Sequence, residues 1–233
     1  MSPQHTDDLN ATDSPRDRLL AAAIRLLEDS GPEALQARKL AAEIGASTMA
    51  VYTHFGGMRQ LIAAIAREGF VRLNGRLAQA PETGDPVADL IELGLAYRDH
   101  AVANPQLYRV MFGVTAPGGY WLVTRDMTEL MSSGQDPEGR AAFEYLVRGV
   151  ARVIQAGSGA GEDAGQVASQ IWSATHGYVL LEIAGYFGPE GYGLQSVLLP
   201  LGIKIITGLG HSPDAVRRSA QQVAARRFGL ARG

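Results

Sequence analysis

The chain has 233 residues, and 46% of them are apolar, which is enough for one large or two small domains with a real core and argues against disorder. It contains no cysteine, which excludes disulfides, thiolate zinc sites and cysteine nucleophiles and fits a reducing compartment. The net charge of −3 does not by itself indicate a nucleic-acid binder.

The positive charge is concentrated in one segment. Residues 34–78 hold six basic and two acidic side chains, whereas residues 79–233 hold 12 basic and 15 acidic ones. This asymmetry is expected when one module of a protein meets phosphates and another does not.

The first 13 residues are polar and predict a disordered tail without the apolar core of a signal peptide. The best candidate for a membrane span, 197–209, is interrupted by Pro200, Gly202, Lys204 and Gly208 and is interpreted as a buried helix. We therefore expect a cytoplasmic protein with no membrane partner.

The first helix is predicted to begin at Ser14-Pro15, because Ser can cap a helix and Pro suits its first position. Gly31-Pro32 ends it. For Arg16 and Arg18 a solvated position is favoured over a contact with DNA. The apolar face of this helix consists of Leu19, Ala22, Ala23, Leu26 and Leu27.

Two short helices are predicted next, joined by a turn at Gly45. Glycine tolerates the left-handed conformation at a helix end, and Ser47 can cap the following helix. A short helix, a glycine turn and a second helix are typical of a helix-turn-helix, whose second helix can enter the DNA major groove. The apolar positions at helical spacing are Leu35, Leu40, Ala41, Ile44, Val51 and Phe55.

The outward positions of the second helix carry no acidic residue, which suits a surface facing phosphates and base edges. An ordinary corner of an all-α protein is the alternative. These positions are Ser47, Thr48, Met49, Ala50, Tyr52, Thr53 and His54.

The run Val51-Tyr-Thr-His-Phe55, followed by Leu61-Ile62, resembles the DNA-binding domain of the TetR family of transcription regulators. The resemblance covers roughly residues 16–77. It implies an all-helical homodimer with an N-terminal three-helix DNA-binding domain and a larger C-terminal domain for ligand binding and dimerisation.

The resemblance also implies roles for the DNA-binding residues. Tyr52 and His54 would bond phosphates, as the matching family positions do. The family usually has a lysine at the position of Met58, and Arg59 would take its place. Thr48, Met49, Ala50 and Thr53 would face base edges, and Arg38 and Lys39 would add phosphate contacts. Since no Arg, Asn or Gln reaches the bases, specificity would depend on methyl contacts and DNA shape.

A long helix is predicted from Met58 to about Gln79, with Leu61, Ile62, Ile65, Phe70 and Leu73 buried. The breaker-rich run 81–86 then marks the predicted domain boundary. The domains are therefore a tail (1–13), the DNA-binding domain (14–80) and the ligand-binding and dimerisation domain (81–233).

The second half shows helical spacing without β alternation. Its predicted helices span about 86–102, 106–112, 120–131, 137–155, 163–187, 194–209 and 213–228. Two segments, Leu107–Gly113 and Trp172–Gly177, resemble the branch of the family named for a Trp–His–Gly signature.

Aromatic and Met side chains of this half suggest a partly apolar cavity for a small molecule. A place in the ordinary core is the alternative for each. The candidates are Tyr97, His100, Tyr108, Met111, Phe112, Trp121, Phe143, Trp172 and His176. His176, beside Gly177, is the preferred polar candidate.

Two helices are predicted to form the homodimer interface, because their small and apolar residues permit close approach. The residues are Gly177, Leu180, Leu181 and Ala184 on one helix and Leu198, Leu201, Gly202 and Ile205 on the next. The same faces could instead belong to the internal core.

The sequence lacks Glu-x-x-His, paired His at i and i+4, G-x-S-x-G and a phosphate-binding loop. We therefore expect no enzyme activity, cofactor or metal. The function predicted is a ligand-responsive repressor that binds a palindromic double-stranded DNA operator as a homodimer. The alternative is an all-helical small-molecule-binding protein or enzyme without DNA recognition.

Overall fold

The computed structural model describes residues 14–119, 137–157, 161–188 and 191–229, and every regular element in these ranges is helical. The predicted all-α fold is confirmed. The predicted tail, the predicted helix 120–131 with Trp121, and the loop 132–136 lie outside the described residues. The α-helices are α1 (Pro15–Ser30), α2 (Ala37–Glu43), α3 (Met49–Phe55), α4 (Met58–Leu77), α5 (Pro86–Ala103), α6 (Pro105–Met111), α7 (Pro137–Ala156), α8 (Ala164–Ile183), α9 (Leu199–Gly208) and α10 (Pro213–Phe228).

The described residues form two compact units. The first contains residues 14–69 and 104–119, and the second contains residues 70–103 and the described residues from 137 onward. Helix α4 is shared between them, and α6 belongs to the first unit because it packs against α1. The domain limits 14–80 and 81–233 remain a prediction.

The first unit is organised around α1. Ser14 caps this helix as expected, its hydroxyl accepting the Asp17 N–H at 3.2 Å, and Pro15 occupies the first turn. Helices α2, α3 and α6 all pack against α1. Fully buried side chains of the core include Leu19, Leu27, Leu40, Val51, Leu61, Ile62, Ile65 and Leu107.

The second unit is organised around α5, which packs against α7, α8 and α10. Its buried Asp89 accepts hydrogen bonds from the Thr83 N–H at 2.6 Å and from Arg152 at 2.9 Å. Its buried Glu92 pairs with Arg227 of α10. The buried charges of α5 therefore have partners, as burial requires.

The predicted end of one helix is wrong. The helix predicted to reach Phe187 ends at Ile183, because Gly185 takes a left-handed φ of 85°. The helix predicted for 194–209 is present from Leu194 to Gly208, but its first part, Leu194–Leu198, has the wider π-helical spacing. Pro200, which follows, has no N–H to donate to a regular α-helical bond.

Candidate nucleic-acid interface and effector-binding residues

The corner between α2 and α3 is built on Gly45. Its φ of 66° lies in the left-handed region that glycine tolerates. The Ala46 N–H donates to the Ala41 carbonyl at 2.8 Å and closes the corner. The predicted Ser47 side-chain cap is wrong: the N-cap residue of α3 is Thr48, and Ser47 accepts the Ala50 N–H through its backbone carbonyl at 2.9 Å.

Helix α3 is anchored on one side and exposed on the other. Val51 is fully buried, whereas Met49 is 64% and Tyr52 is 53% exposed. The other predicted members of this surface are exposed (Ser47, Thr48 and Thr53) or half-buried (Ala50 and His54). Met49 and Tyr52 are three positions apart and therefore lie on the same face of α3.

The Thr53 hydroxyl donates to the Met49 carbonyl at 2.9 Å, one helical turn earlier. This bond occupies the hydroxyl proton, so the side chain offers a methyl group and oxygen lone pairs to a neighbour. A methyl contact with thymine is one of the apolar contacts by which the major groove is read.

Three exposed cations lie on the helices before and after α3. Arg38 and Lys39 are on α2, and Arg59 is the second residue of α4. Gly56 and Gly57, with φ of 80° and 139°, form the turn that leads into α4. Met58 is half-buried, so Arg59 is the exposed cation at this turn.

Arg16 has a role that the sequence did not indicate. Its guanidinium carbon lies 4.9 Å from the centroid of the Phe55 ring, which is cation–π distance. The contact ties the start of α1 to the end of α3. A cation and a ring 39 positions apart carry no local sequence signal that they meet.

Three of the predicted effector residues meet in the second unit. The Tyr97 hydroxyl lies 3.0 Å from His176 Nδ1, and the Trp172 indole N–H donates to the same hydroxyl at 3.2 Å. The rings of Trp172 and His176 are 5.2 Å apart. Burial lowers the pKa of His176 to about 4, so the ring is neutral at pH 7.

Of the remaining effector candidates that the structure describes, two lie in the second unit and three in the first. His100 is buried in the second unit, where burial and then Arg76 and Arg72 lower its pKa to about 4. Phe143 is buried on α7 of the same unit. Tyr108, Met111 and Phe112 belong to α6 and its end in the first unit, and Trp121 lies outside the described residues.

An ion-pair network beside this group was missed by the sequence analysis. Arg98 donates to both carboxylate oxygens of Glu182, at 2.8 and 2.6 Å, and the Tyr178 hydroxyl donates to Glu182 at 3.0 Å. Burial, followed by the Glu182 charge, raises the pKa of Tyr178 to about 12. These bonds fix α5 against α8 and thereby hold Tyr97 beside His176.

A polar cleft of about 310 Å³ in the second unit contains none of the predicted effector residues. Arg76, Glu92, Asp99 and Arg227 line it, and Arg227 bridges the two carboxylates. The charges of this cleft therefore neutralise one another across α5 and α10.

The predicted dimer faces are poorly covered within the chain. Of the ten residues of α9 only Ile206 is buried, although Lys204 is its single charged residue. Leu181 is 45% exposed, and Tyr186 and Tyr192, in the connection that follows α8, are 76% and 66% exposed. None of the eight predicted interface residues is buried in this chain: Gly177, Leu180, Leu181, Ala184, Leu198, Leu201, Gly202 and Ile205.

Comparison with protein families matches both halves of the chain. Residues 19–65 match the family described as bacterial regulatory proteins, tetR family. Residues 90–197 match the family described as tetracyclin repressor-like, C-terminal domain.

Individual relatives agree with these matches. The uncharacterized HTH-type transcriptional regulator Rv0681 of Mycobacterium tuberculosis is 27% identical over 197 residues, which cover 83% of this chain and 81% of the relative. A solved structure of a Rhodococcus sp. RHA1 protein of unknown function is 28% identical, with a TM-score of 0.69 over 88% of this chain and 100% of that one. The fatty acid degradation regulator FadR of Bacillus halodurans shares the fold at 15% identity, with a TM-score of 0.61 over 86% of this chain and 98% of its own.

Among the described residues, no helix is both long and apolar enough to cross a membrane.

Proposed function

This chain belongs to the TetR family of bacterial regulatory proteins, and we propose on that premise that it is a homodimeric repressor released from a palindromic operator by a small, partly apolar effector. It is a DNA-binding transcriptional regulator with a C-terminal ligand-binding domain. Repression, the palindrome, the homodimer, a cytoplasmic location, the absence of enzymatic activity and membership of the Trp–His–Gly branch are parts of the proposal.

The surface of α3 is the observation that carries the DNA-binding part. It exposes Met49 and Tyr52 and lacks any acidic side chain. The buried Val51 anchors α3 to the core, and Gly45 forms the turn between α2 and α3. A helix presented in this way suits the major groove, where apolar groups contact thymine methyls and hydroxyls bond base edges or phosphates.

We expect the purified protein to bind DNA flanking its own gene in the presence of excess random competitor. Arg38, Lys39 and Arg59 give six cations for phosphates in a dimer, so raising the salt from about 50 to about 200 mM should weaken binding roughly a thousandfold. Fluorescence anisotropy with a labelled fragment measures this change.

A complete lack of binding at either salt concentration would favour the helical binding protein without DNA recognition. Binding that random DNA removes as readily as the gene-flanking fragment would contradict a specific operator. The same assay identifies effectors as compounds that release the labelled fragment.

The neutral group formed by Tyr97, Trp172 and His176 supports the effector part of the proposal. It combines two aromatic faces with a hydroxyl and an imidazole, and burial keeps His176 uncharged. Apolar walls with a few oriented polar groups are typical of small-molecule sites. Effector binding would then favour a conformer with lower DNA affinity. The size of this shift would be set by how much more tightly the effector binds that conformer than the DNA-binding one.

The uncovered faces of α8 and α9 support the homodimer. A substitution at an exposed position leaves the subunit core intact but places a charge in the interface. We expect Leu181→Glu to raise the dimer dissociation constant at least about a hundredfold, because two like charges would meet across a two-fold interface at a cost of several kcal/mol. Sedimentation velocity over a range of concentrations measures the constant.

Val102→Glu is the matched control, since Val102 is 42% exposed on α5 and the change in charge is the same. It should sediment like the wild type. A wild-type protein that remains monomeric at all concentrations would refute the homodimer.

A further inference from the structure

The polar cleft of the second unit is formed by three helices of that unit. Arg76 comes from the last turn of α4, Glu92 and Asp99 come from α5, and Arg227 comes from the last turn of α10. The volume of the cleft is about 310 Å³. Since a water molecule takes about 30 Å³ of liquid volume, the cleft has room for an organic molecule of about ten non-hydrogen atoms.

The two carboxylates of the cleft are already paired. Arg227 donates to Glu92 through Nε and to Asp99 through Nη1, both at 2.5 Å. Each carboxylate also has a second arginine nearby, with Arg226 3.7 Å from Glu92 and Arg98 3.3 Å from Asp99. The negative charge of the cleft is therefore compensated within the protein, which disfavours a cationic ligand.

Arg76 is the cation that this pairing leaves over. Its side chain is exposed at the cleft, and among the described residues it forms no hydrogen bond or ion pair. Its charge acts on a buried neighbour: burial, followed by the charges of Arg76 and Arg72, lowers the pKa of His100 to about 4. The cleft thus presents one positive charge without a counter-charge.

Arg227 adds further donors to the same cleft. A guanidinium group has five N–H donors, and the bonds to the carboxylates use Nε and Nη1, so Nη2 has no acceptor among the described residues. Two guanidinium groups with unused donors therefore line one cleft, and such groups bind carboxylate and phosphate oxygens in planar, charge-assisted pairs. Ala80, Pro81 and Ala96 add small apolar surfaces to its wall.

The charge balance favours a carboxylate over a phosphate group. One negative charge on the ligand neutralises Arg76. A phosphate group carries about two negative charges at pH 7, and the second would lie near Glu92 and Asp99 without a partner. The apolar wall suits the hydrocarbon part of an organic acid.

We propose that this cleft is a small-molecule site that binds the carboxylate of a small organic acid through the guanidinium groups of Arg76 and Arg227. It is separate from the effector group, because none of Tyr97, Trp172 and His176 lines it. Both arginines also lie outside the matched segments 19–65 and 90–197, so membership of the family does not predict this site. The inference goes beyond the proposed function and does not depend on it.

The first test compares benzoate with benzamide, which has the same shape and no charge. Titrations of the full-length protein followed by saturation-transfer NMR measure both dissociation constants. We expect benzoate to bind at least about tenfold more tightly than benzamide, because charge-assisted hydrogen bonds are roughly twice as strong as neutral ones and Arg76 gains a counter-charge. Equal affinities, or no binding of benzoate, would overturn the inference.

Arg76→Gln should lower benzoate affinity about tenfold or more and abolish the preference over benzamide. Because Arg76 is exposed and has no ion pair among the described residues, the substitution breaks no bond that holds the fold. Arg76→Lys keeps the charge and should retain more affinity than Arg76→Gln. Arg218→Gln is the matched control: Arg218 is also exposed and without an ion pair in the described part of the chain, but it does not line the cleft. Its benzoate affinity should equal that of the wild type.

Two further results would contradict the assignment. Unchanged benzoate binding by Arg76→Gln would place the carboxylate elsewhere, and His176→Asn would then test the effector group as the place. In the proposed arrangement His176→Asn binds benzoate like the wild type. Inorganic phosphate that binds more tightly than benzoate, and loses this binding in Arg76→Gln, would overturn the choice of a carboxylate.

These titrations contain no DNA, so they are independent of the operator assay. A protein that binds benzoate as expected but no operator would retain this site and refute the proposed function. A protein that binds its operator but not benzoate would refute the site alone.

Discussion

Met49→Glu is expected to lower operator affinity about a hundredfold or more without destabilising the protein. Met49 is the first residue of α3 and is 64% exposed, so the substitution creates no cavity. A glutamate in the first turn of a helix interacts favourably with the helix dipole. At a DNA interface, however, the same charge lies close to phosphates and loses its hydration, which costs several kcal/mol. A loss of about 2.7 kcal/mol in binding free energy already weakens the affinity a hundredfold.

Gln166→Glu is the control that makes this prediction specific. Gln166 lies exposed in the first turn of α8, where its N–H donates to the capping carboxylate of Asp163 at 2.7 Å. The control therefore adds the same charge in the same part of a helix, but in the second unit. Its operator affinity should equal that of the wild type. Equal affinity for Met49→Glu would show that α3 does not face DNA.

Acidification is expected to destabilise the folded state strongly between pH 6.5 and 4. The folded protein holds His100 and His176 with pKa values of about 4, below the ordinary value of 6.5, because burial disfavours the charged ring at both. In this window the unfolded chain binds more protons than the folded chain, so stability falls as the pH falls. At 1.36 kcal/mol per pKa unit, each histidine removes about 3 kcal/mol by pH 4.

Urea unfolding of the wild type and of His100→Asn, His176→Asn and the double variant, at a series of pH values, measures this loss. The two histidines make the free energy of unfolding depend on pH. Each single variant should remove about half of this dependence, and the double variant should remove all of it. The remaining slope comes from carboxylates common to all four proteins. A double variant as pH-dependent as the wild type would show that these histidines are not buried as neutral rings.

The sequence predicted the functional family, because its motif is local. Gly45, Val51 and Phe55 lie within 11 residues, and their spacing alone defines a corner between two helices. Helix limits set by neighbouring residues were also predictable. Ser14 with Pro15 and Gly31 agree with the structure, because caps and breakers act over a few residues.

The predicted end of α8 at Phe187 is wrong, although Gly185 lies only two residues before it in the sequence. The periodic apolar residues that follow Gly177 continue beyond the helix, so they predicted a limit at Phe187 that Gly185 prevents. Instead, Phe187 stacks on Tyr178 with ring centroids 4.9 Å apart. A side chain can thus keep its apolar role while its backbone has left the helix.

The all-helical class, the helix-turn-helix and the residue types that α3 exposes are predictable from the sequence, since each follows from turn chemistry and periodicity within one or two helices. Three contacts are visible only in the folded chain: Tyr97 meets Trp172 and His176, Arg16 lies over Phe55, and Glu28 binds the start of α6. These partners are 39 to 79 positions apart. Helix packing decides which of many chemically equivalent side chains become neighbours at such separations. Packing depends on the whole core and not on any local pattern.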